Sequence, residues 1–152
     1  MAKSNTFQVD YSDEFSIVAI FCHLKDYRLT YYLNKALGSH LKKIDDLIIK
    51  EQKNTDPKNY SLYIYYDSDK RTYFYLVSNH HPDGKLFSSL KQTDYFLLIK
   101  EHVNDHSKQK IIKTIRDIPG VLTAYMIDMN TVKHVNYLLS DLEMHLMNIS
   151  KR

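Results

Sequence analysis

Tyr63, Tyr65, Tyr73 and Tyr75 recur at every second position of two neighbouring apolar segments, and an extended chain sends alternate side chains to the same side. On an open sheet face such rings would stack nucleobases, with Lys70, Arg71, Lys108, Lys110, Lys113 and Arg116 available to phosphates. Packing competes with that chemistry, because aromatic side chains favour strands for packing alone. Two further groups combine an acid with a ring. Asp26-Tyr27-Arg28 directly follows an apolar run, where open α/β sheets bind ligands, and Asp94-Tyr95 opens another such run. Each also has a plainer account: Asp26 as a helix N-cap with Tyr27 and Arg28 laid along the first turn, and Asp94 as a hydrogen-bond acceptor at a strand start beside a packed ring. Tyr63, Tyr65, Tyr73, Tyr75, Asp26, Arg28, Asp94 and Tyr95 are the candidate binding surface.

Metal and nucleophile chemistry find less support. His102 and His106 stand four apart and His80-His81 are adjacent, but a zinc site needs three or four ligands converging on one point. Loop-like surroundings make solvated histidines the expectation. Cys22 lies in the middle of an apolar run, where a thiol is ordinarily buried and inert. No Gly-x-Ser-x-Gly elbow is present, and three glycines without a phosphate-loop pattern exclude a glycine-rich nucleotide cradle. The expectation is therefore no catalytic residue, no metal and no cofactor.

These residues are positioned by a strand, helix, strand unit over Thr93–Asp128. Tyr95–Ile99 is apolar at every position, as in a strand buried on both faces. Ile111, Ile112, Ile115 and Ile118 make one helical stripe in a helix from about Lys108 to Asp117, which Pro119-Gly120 ends. In Val121–Ile127 the larger residues fall at odd numbers, predicting a strand with its better-buried face on that side. Upstream, Phe15–Cys22 reads as a central strand. Asp26–Leu37 follows as a helix with Leu29, Leu33, Ala36 and Leu37 on one face and Gly38 at its end. Leu41–Ile49 fits either a short helix or a strand and is assigned as a docking segment; Lys50–Asn59 is a polar loop. Tyr60–Tyr66 and Thr72–Ser78 form a hairpin about the loop Asp67–Arg71, and Asn79–Lys85 is a further loop. Asn130 or Thr131 caps a final amphipathic helix whose apolar positions run from Val132 through Leu138, Leu139, Leu142 and Leu146 to Ile149.

A chain of 152 residues suits one domain. With 43% hydrophobic and 26% charged residues, wholesale disorder is not expected. The net charge of +3 falls short of the dense positive stripe of a dedicated DNA-binding domain. One cysteine gives no disulfide framework, residues 1–13 lack the apolar centre of a signal peptide, and no run nears the roughly 20 apolar residues of a membrane span. A cytoplasmic location is expected.

Lys25-Asp26-Tyr27-Arg28-Leu29, Leu33-Asn34-Lys35-Ala36-Leu37-Gly38, Leu90-Lys91-Gln92-Thr93-Asp94-Tyr95-Phe96-Leu97 and Ile118-Pro119-Gly120-Val121-Leu122-Thr123-Ala124 together resemble segments of the bacterial IPExxxVDY family across most of the chain. The naming motif is only partly kept. With its Asp-Tyr on Asp94-Tyr95, Phe87-Ser88-Ser89 stand at Ile-Pro-Glu and Thr93 at the valine. The resemblance implies a small cytoplasmic protein and carries no catalytic residue to this chain.

The expected architecture is α+β: a single domain over 1–152 with a flexible N-terminus at 1–13, a mainly antiparallel sheet with helices packed on one face in a ferredoxin-like variant, and a C-terminal amphipathic helix at 131–150. The expected function is that of a non-enzymatic interaction or regulatory protein, a homodimer or bound to a protein partner through the C-terminal helix, with no membrane association. The alternatives are RNA binding through the tyrosine-rich face and small-ligand sensing. The latter rests on Ile-Pro-Gly-Val before the last strand, which is similar to ACT regulatory domains at the level of fold alone.

Overall fold

The run Phe15–Cys22 has no charged residue and forms strand β1, with Ile17, Val18, Ala19 and Ile20 fully buried. Side chains the size of Ile17, Val18 and Ile20 each contribute about 1.5–3 kcal/mol when removed from water, so this strand anchors the elements around it. The computed structural model describes residues 15–49, 58–81, 84–85, 92–100, 103–128 and 135–150. The expected flexible N-terminus, the Lys50–Pro57 part of the polar loop, the cap at Asn130 or Thr131 and Val132 lie outside the described residues.

Helix α1 spans Asp26–Leu37, β2 Lys42–Ile49, β3 Lys58–Asp67, β4 Thr72–Ser78, β5 His80–His81, β6 Gly84–Lys85, β7 Tyr95–Lys100, α2 Asp105–Arg116, β8 Val121–Met126 and α3 Val135–Ser150. Six strands make one antiparallel sheet in the order β2-β3-β4-β7-β1-β8, and β5 and β6 form a separate two-residue pair. Taken alone, β8-β1-β7-β4 with α1 and α2 is the ferredoxin-like plan: β1 lies between β7 and β8, and β7 lies between β1 and β4. The hairpin partner β3 and the strand β2 extend that plan on one side. The structure is therefore α+β with an open antiparallel sheet and a C-terminal helix.

The sheet buries both faces. Val18, Ile20, Leu76, Leu97 and Ile99 meet Leu29 and Leu33 of α1 and Ile111, Ile112 and Ile115 of α2. On the reverse side Ile17, Ala19, Leu62, Tyr75, Phe96 and Leu98 meet Leu138, Leu139 and Leu142 of α3. Helices α1 and α2 thus share one face as expected, and the C-terminal helix folds back over the other.

Several local readings are corrected by tertiary context. Leu41–Ile49 is not a docking segment: Lys42–Ile49 is an edge strand paired with β3, with Leu47 and Ile49 in the core. Asn34 fixes its start, its Oδ1 accepting from Ser39 Oγ and from Leu41 N, both at 2.8 Å, while its Nδ2 donates to Leu41 O at 3.2 Å. Asp26 is the first residue of α1 rather than its cap; Lys25 occupies the cap position without a side-chain bond. Helix α2 starts at Asp105, three residues before Lys108, because Asn104 Oδ1 accepts from Ser107 N at 2.8 Å. In β8 the fully buried residue is Ala124, opposite Ile20, whereas Thr123 and Tyr125 face water. The odd-number pattern misleads there because β8 is an edge strand that presents its small residue to the core. Gly120 makes the turn into it with φ +95°, and a Cβ at that position would meet the Leu24 side chain at 3.0 Å.

Candidate functional site

The two acid and ring groups lie around the end of β1, and both work inward. Cys22 N donates to Asp94 Oδ2 at 2.9 Å, His80 Nε2 stands 2.8 Å from Asp94 Oδ1, and Asp94 N donates to Ile20 O at 3.0 Å. Asn79 completes the junction, its backbone N donating to Asp94 O at 2.9 Å and its side-chain amide to Thr93 O at 2.8 Å. Both carboxylate oxygens of Asp94 are thereby engaged, one with the β1 backbone and one with an imidazole. Tyr95 is buried and donates to Leu24 O at 2.7 Å. A few residues along the chain, Asp26 Oδ2 accepts from Tyr63 OH at 3.1 Å, with Lys43 Nζ at 4.0 Å from the same oxygen and 5.7 Å from the Tyr63 ring centre.

The electrostatics suit clamping rather than proton transfer. Burial, reinforced by the negative charge of Asp26, pushes the Tyr63 hydroxyl up to about 12. Burial first, then the neighbouring Cys22, Asp26 and Asp94, raises Tyr95 further. Burial likewise raises the Cys22 thiol, which keeps it protonated at neutral pH. Asp26 and Asp94 thus tie α1 to β3 and β1 to β7. Tyr27 and Arg28, from the same sequence triplet as Asp26, point to water instead.

The tyrosines do not share a face. Tyr66 pairs with Tyr73 and Asp67 with Thr72, so Tyr63 and Tyr65 lie opposite Leu76 and Phe74, while Tyr73 and Tyr75 lie opposite Tyr66 and Ile64. Tyr63 is buried against the α1/α2 side, where Tyr65 stacks on Phe74 at 6.1 Å; Tyr75 is buried on the α3 side. The exposed pair is Tyr66 with Tyr73, ring centres 4.6 Å apart, with Tyr75 stacked beneath Tyr73 at 5.9 Å. The expectation of one tyrosine-rich platform is corrected by the turn: residues 68–71 form it, and Asp67 belongs to the ladder. Asp67 Oδ1 accepts from Asp69 N and Lys70 N, and Arg71 takes a left-handed φ of +53°. The sequence spacing does not single out Tyr66; only the parity of that turn reveals it.

His102 and the side chain of His81 lie outside the described residues, His80 is held on Asp94, and His106 is exposed on α2. Among the described residues no group of three His, Cys, Asp or Glu gathers as metal ligands do. A cavity of about 30 Å³ between Leu37, Leu41, Tyr65, Phe74, Leu97 and Ile111 has room for a water, whereas small-molecule pockets run to about 300–1,000 Å³. Among the described residues no helix is long and apolar enough to cross a membrane.

Among the described residues, apolar surface beyond the Tyr66/Tyr73 pair remains at Ile48 of β2 and on β8, α3 and α1. Leu122 is 66% and Tyr125 40% exposed on β8, the latter stacked on Phe21 at 5.6 Å. Met144 and Met147 are 60% and 54% exposed on the outer side of α3. Tyr27 and Tyr31 are exposed on α1. The chain matches no protein-family model and no curated protein.

Proposed function

We propose that this is a non-enzymatic interaction protein that works as a homodimer joined at the β8 edge. The observation that carries this reading is the edge strand Val121–Met126, which has no charged residue and leaves Leu122 and Tyr125 in water. Exposed apolar residues on a sheet edge are what proteins ordinarily guard with charge. Arg116 Nε donates to the outward carbonyl of Ala124 at 2.7 Å, so the contact is made by side chains rather than by a continuous backbone ladder. The apolar stripe of α3 is engaged within the protomer through Leu138, Leu139 and Leu142, which leaves Met144 and Met147 as what the C-terminal helix offers a partner.

Sedimentation equilibrium of the wild type and of the Leu122→Lys/Tyr125→Lys variant tests the proposal. A wild-type dimer that becomes a folded monomer on this double substitution is the expected result. A wild type that is monomeric at high micromolar concentration, or a variant that stays dimeric, overturns it. If Met144→Lys/Met147→Lys separates the protomers instead, the helix is the interface.

A further inference from the structure

Charge is not spread evenly over the two helical layers. Helices α1 and α2 carry six Lys or Arg against two Asp, whereas α3 has Asp141 and Glu143 and no Lys or Arg. The chain as a whole is only +3, so the α1/α2 layer concentrates positive charge that the remainder offsets. Because Leu29 and Leu33 of α1 and Ile111, Ile112 and Ile115 of α2 are buried on the same sheet face, the opposite sides of both helices point outward together. At 3.6 residues per turn those sides hold Tyr27, Arg28, Tyr31 and Lys35 on α1 and His106, Lys110 and Lys113 on α2, with Asp117 at its C-cap, all exposed. Arg116 is turned to β8 and takes no part.

We infer that this outward α1/α2 face binds single-stranded nucleic acid. Tyr27 and Tyr31 are 62% and 61% exposed and one helical turn apart, with the Tyr31 ring steadied edge-on by Tyr32 at 5.4 Å and cations around them. Rings of this kind stack successive unpaired bases while Lys and Arg neutralise the phosphates between them. A membrane surface fits less well, since it calls for aliphatic residues and Trp or Phe on the inserted side, and this face offers only tyrosine and cations. A protein partner would want an apolar centre free of charge, and here the rings are flanked by Arg28 and Lys35. The face is distinct from β8, so binding there is compatible with the dimer and does not depend on it.

Fluorescence anisotropy with labelled oligouridylate tests the inference on the full chain. Four cations meeting phosphates predict a slope near −3 in log affinity against log salt, or roughly a 50-fold loss between 50 and 200 mM. Tyr27→Ala/Tyr31→Ala is expected to weaken binding at least about 5-fold, the lower limit for losing one stacked base, with an unchanged far-ultraviolet circular dichroism spectrum. Lys110→Glu/Lys113→Glu should weaken binding and flatten the salt slope, while Tyr66→Ala/Tyr73→Ala on the reverse face should leave affinity unchanged. Absence of binding at 50 mM salt, wild-type affinity in the Tyr27/Tyr31 variant, or equally tight binding of a duplex overturns the inference. The Leu122→Lys/Tyr125→Lys variant, run in parallel, is expected to bind the oligonucleotide as an isolated protomer.

Discussion

Strands β2 and β8 close the same sheet at its two ends, and they meet water in opposite ways. β2 reads KKIDDLII, and its exposed positions include Lys42, Lys43 and Asp45. Its register shifts between Ile44 and Leu47, and His145 of α3 lies 3.0 Å from the Asp45 carbonyl. Charge, a bulge and a helix all discourage another strand from docking there. β8 reads VLTAYM, with a bulge at Leu122 and the Arg116 contact as its protection. An edge guarded three ways serves the fold of one protomer; an edge guarded so lightly fits a surface meant to be covered.

From that contrast, substitutions in the buried side of β2 should change stability without changing mass, and substitutions at β8 should do the reverse. The largest effect is expected at Leu47, fully buried in β2: Leu47→Ala should cost about 2–5 kcal/mol in urea unfolding and leave the sedimentation behaviour of the folded protein unaltered. Next is Asn34, which holds the entry to β2. Asn34→Ala leaves the Leu41 backbone without its partners and should cost about 1–3 kcal/mol; a loss below 0.5 kcal/mol would show that β2 is launched some other way.

Alkali sharpens the comparison on the β2 side, where Lys43 and Tyr63 meet Asp26. The Tyr63 hydroxyl is raised in the folded protein from 10 to about 12, so the neutral phenol is favoured by folding. Its stabilising contribution is complete below pH 10 and is lost between pH 10 and 12 as the unfolded chain ionises first. Urea midpoints measured across that window should fall more steeply for the wild type than for Tyr63→Phe, with Tyr95, Cys22 and Tyr65, each also raised by burial, accounting for the slope that remains; parallel curves would exclude Tyr63. The smallest effect is expected at Ile48, exposed on β2: Ile48→Lys should stay within about 0.5 kcal/mol of wild type and leave the dimer intact. Dissociation by this one change would move the interface to the wrong edge.

Much of this architecture is legible in the residues themselves. The uncharged run Phe15–Cys22, the isoleucine stripe of α2 and the Pro119-Gly120 stop each obey a local rule that tertiary packing did not overrule. Strand β2 was not legible, because Lys and Asp interrupt an apolar pattern that only the neighbouring β3 makes extended. The tyrosine face failed for a different reason. A five-residue loop from Asp67 to Arg71 would place Tyr63, Tyr65, Tyr73 and Tyr75 together, whereas drawing Asp67 into the ladder shortens the turn by one residue and reverses the second strand. Asp26 and Asp94 are singled out by their place beside apolar runs, but the groups they clamp, Tyr63 and Cys22, are 37 and 72 residues away in the chain, a distance at which spacing carries no information.

The protein's single thiol gives the molecule a built-in timer. Cys22 is 2% exposed at the end of β1, between β7 and the edge strand β8, and its own backbone N–H is held by Asp94. A thiol reagent reaches it when this end of β1 comes away from its neighbours, so with reagent in such excess that labelling outpaces reclosing, the rate of labelling reads the frequency of that opening. Without any engineered probe, one chromogenic reagent therefore reports how often the end of β1 comes away from its neighbours.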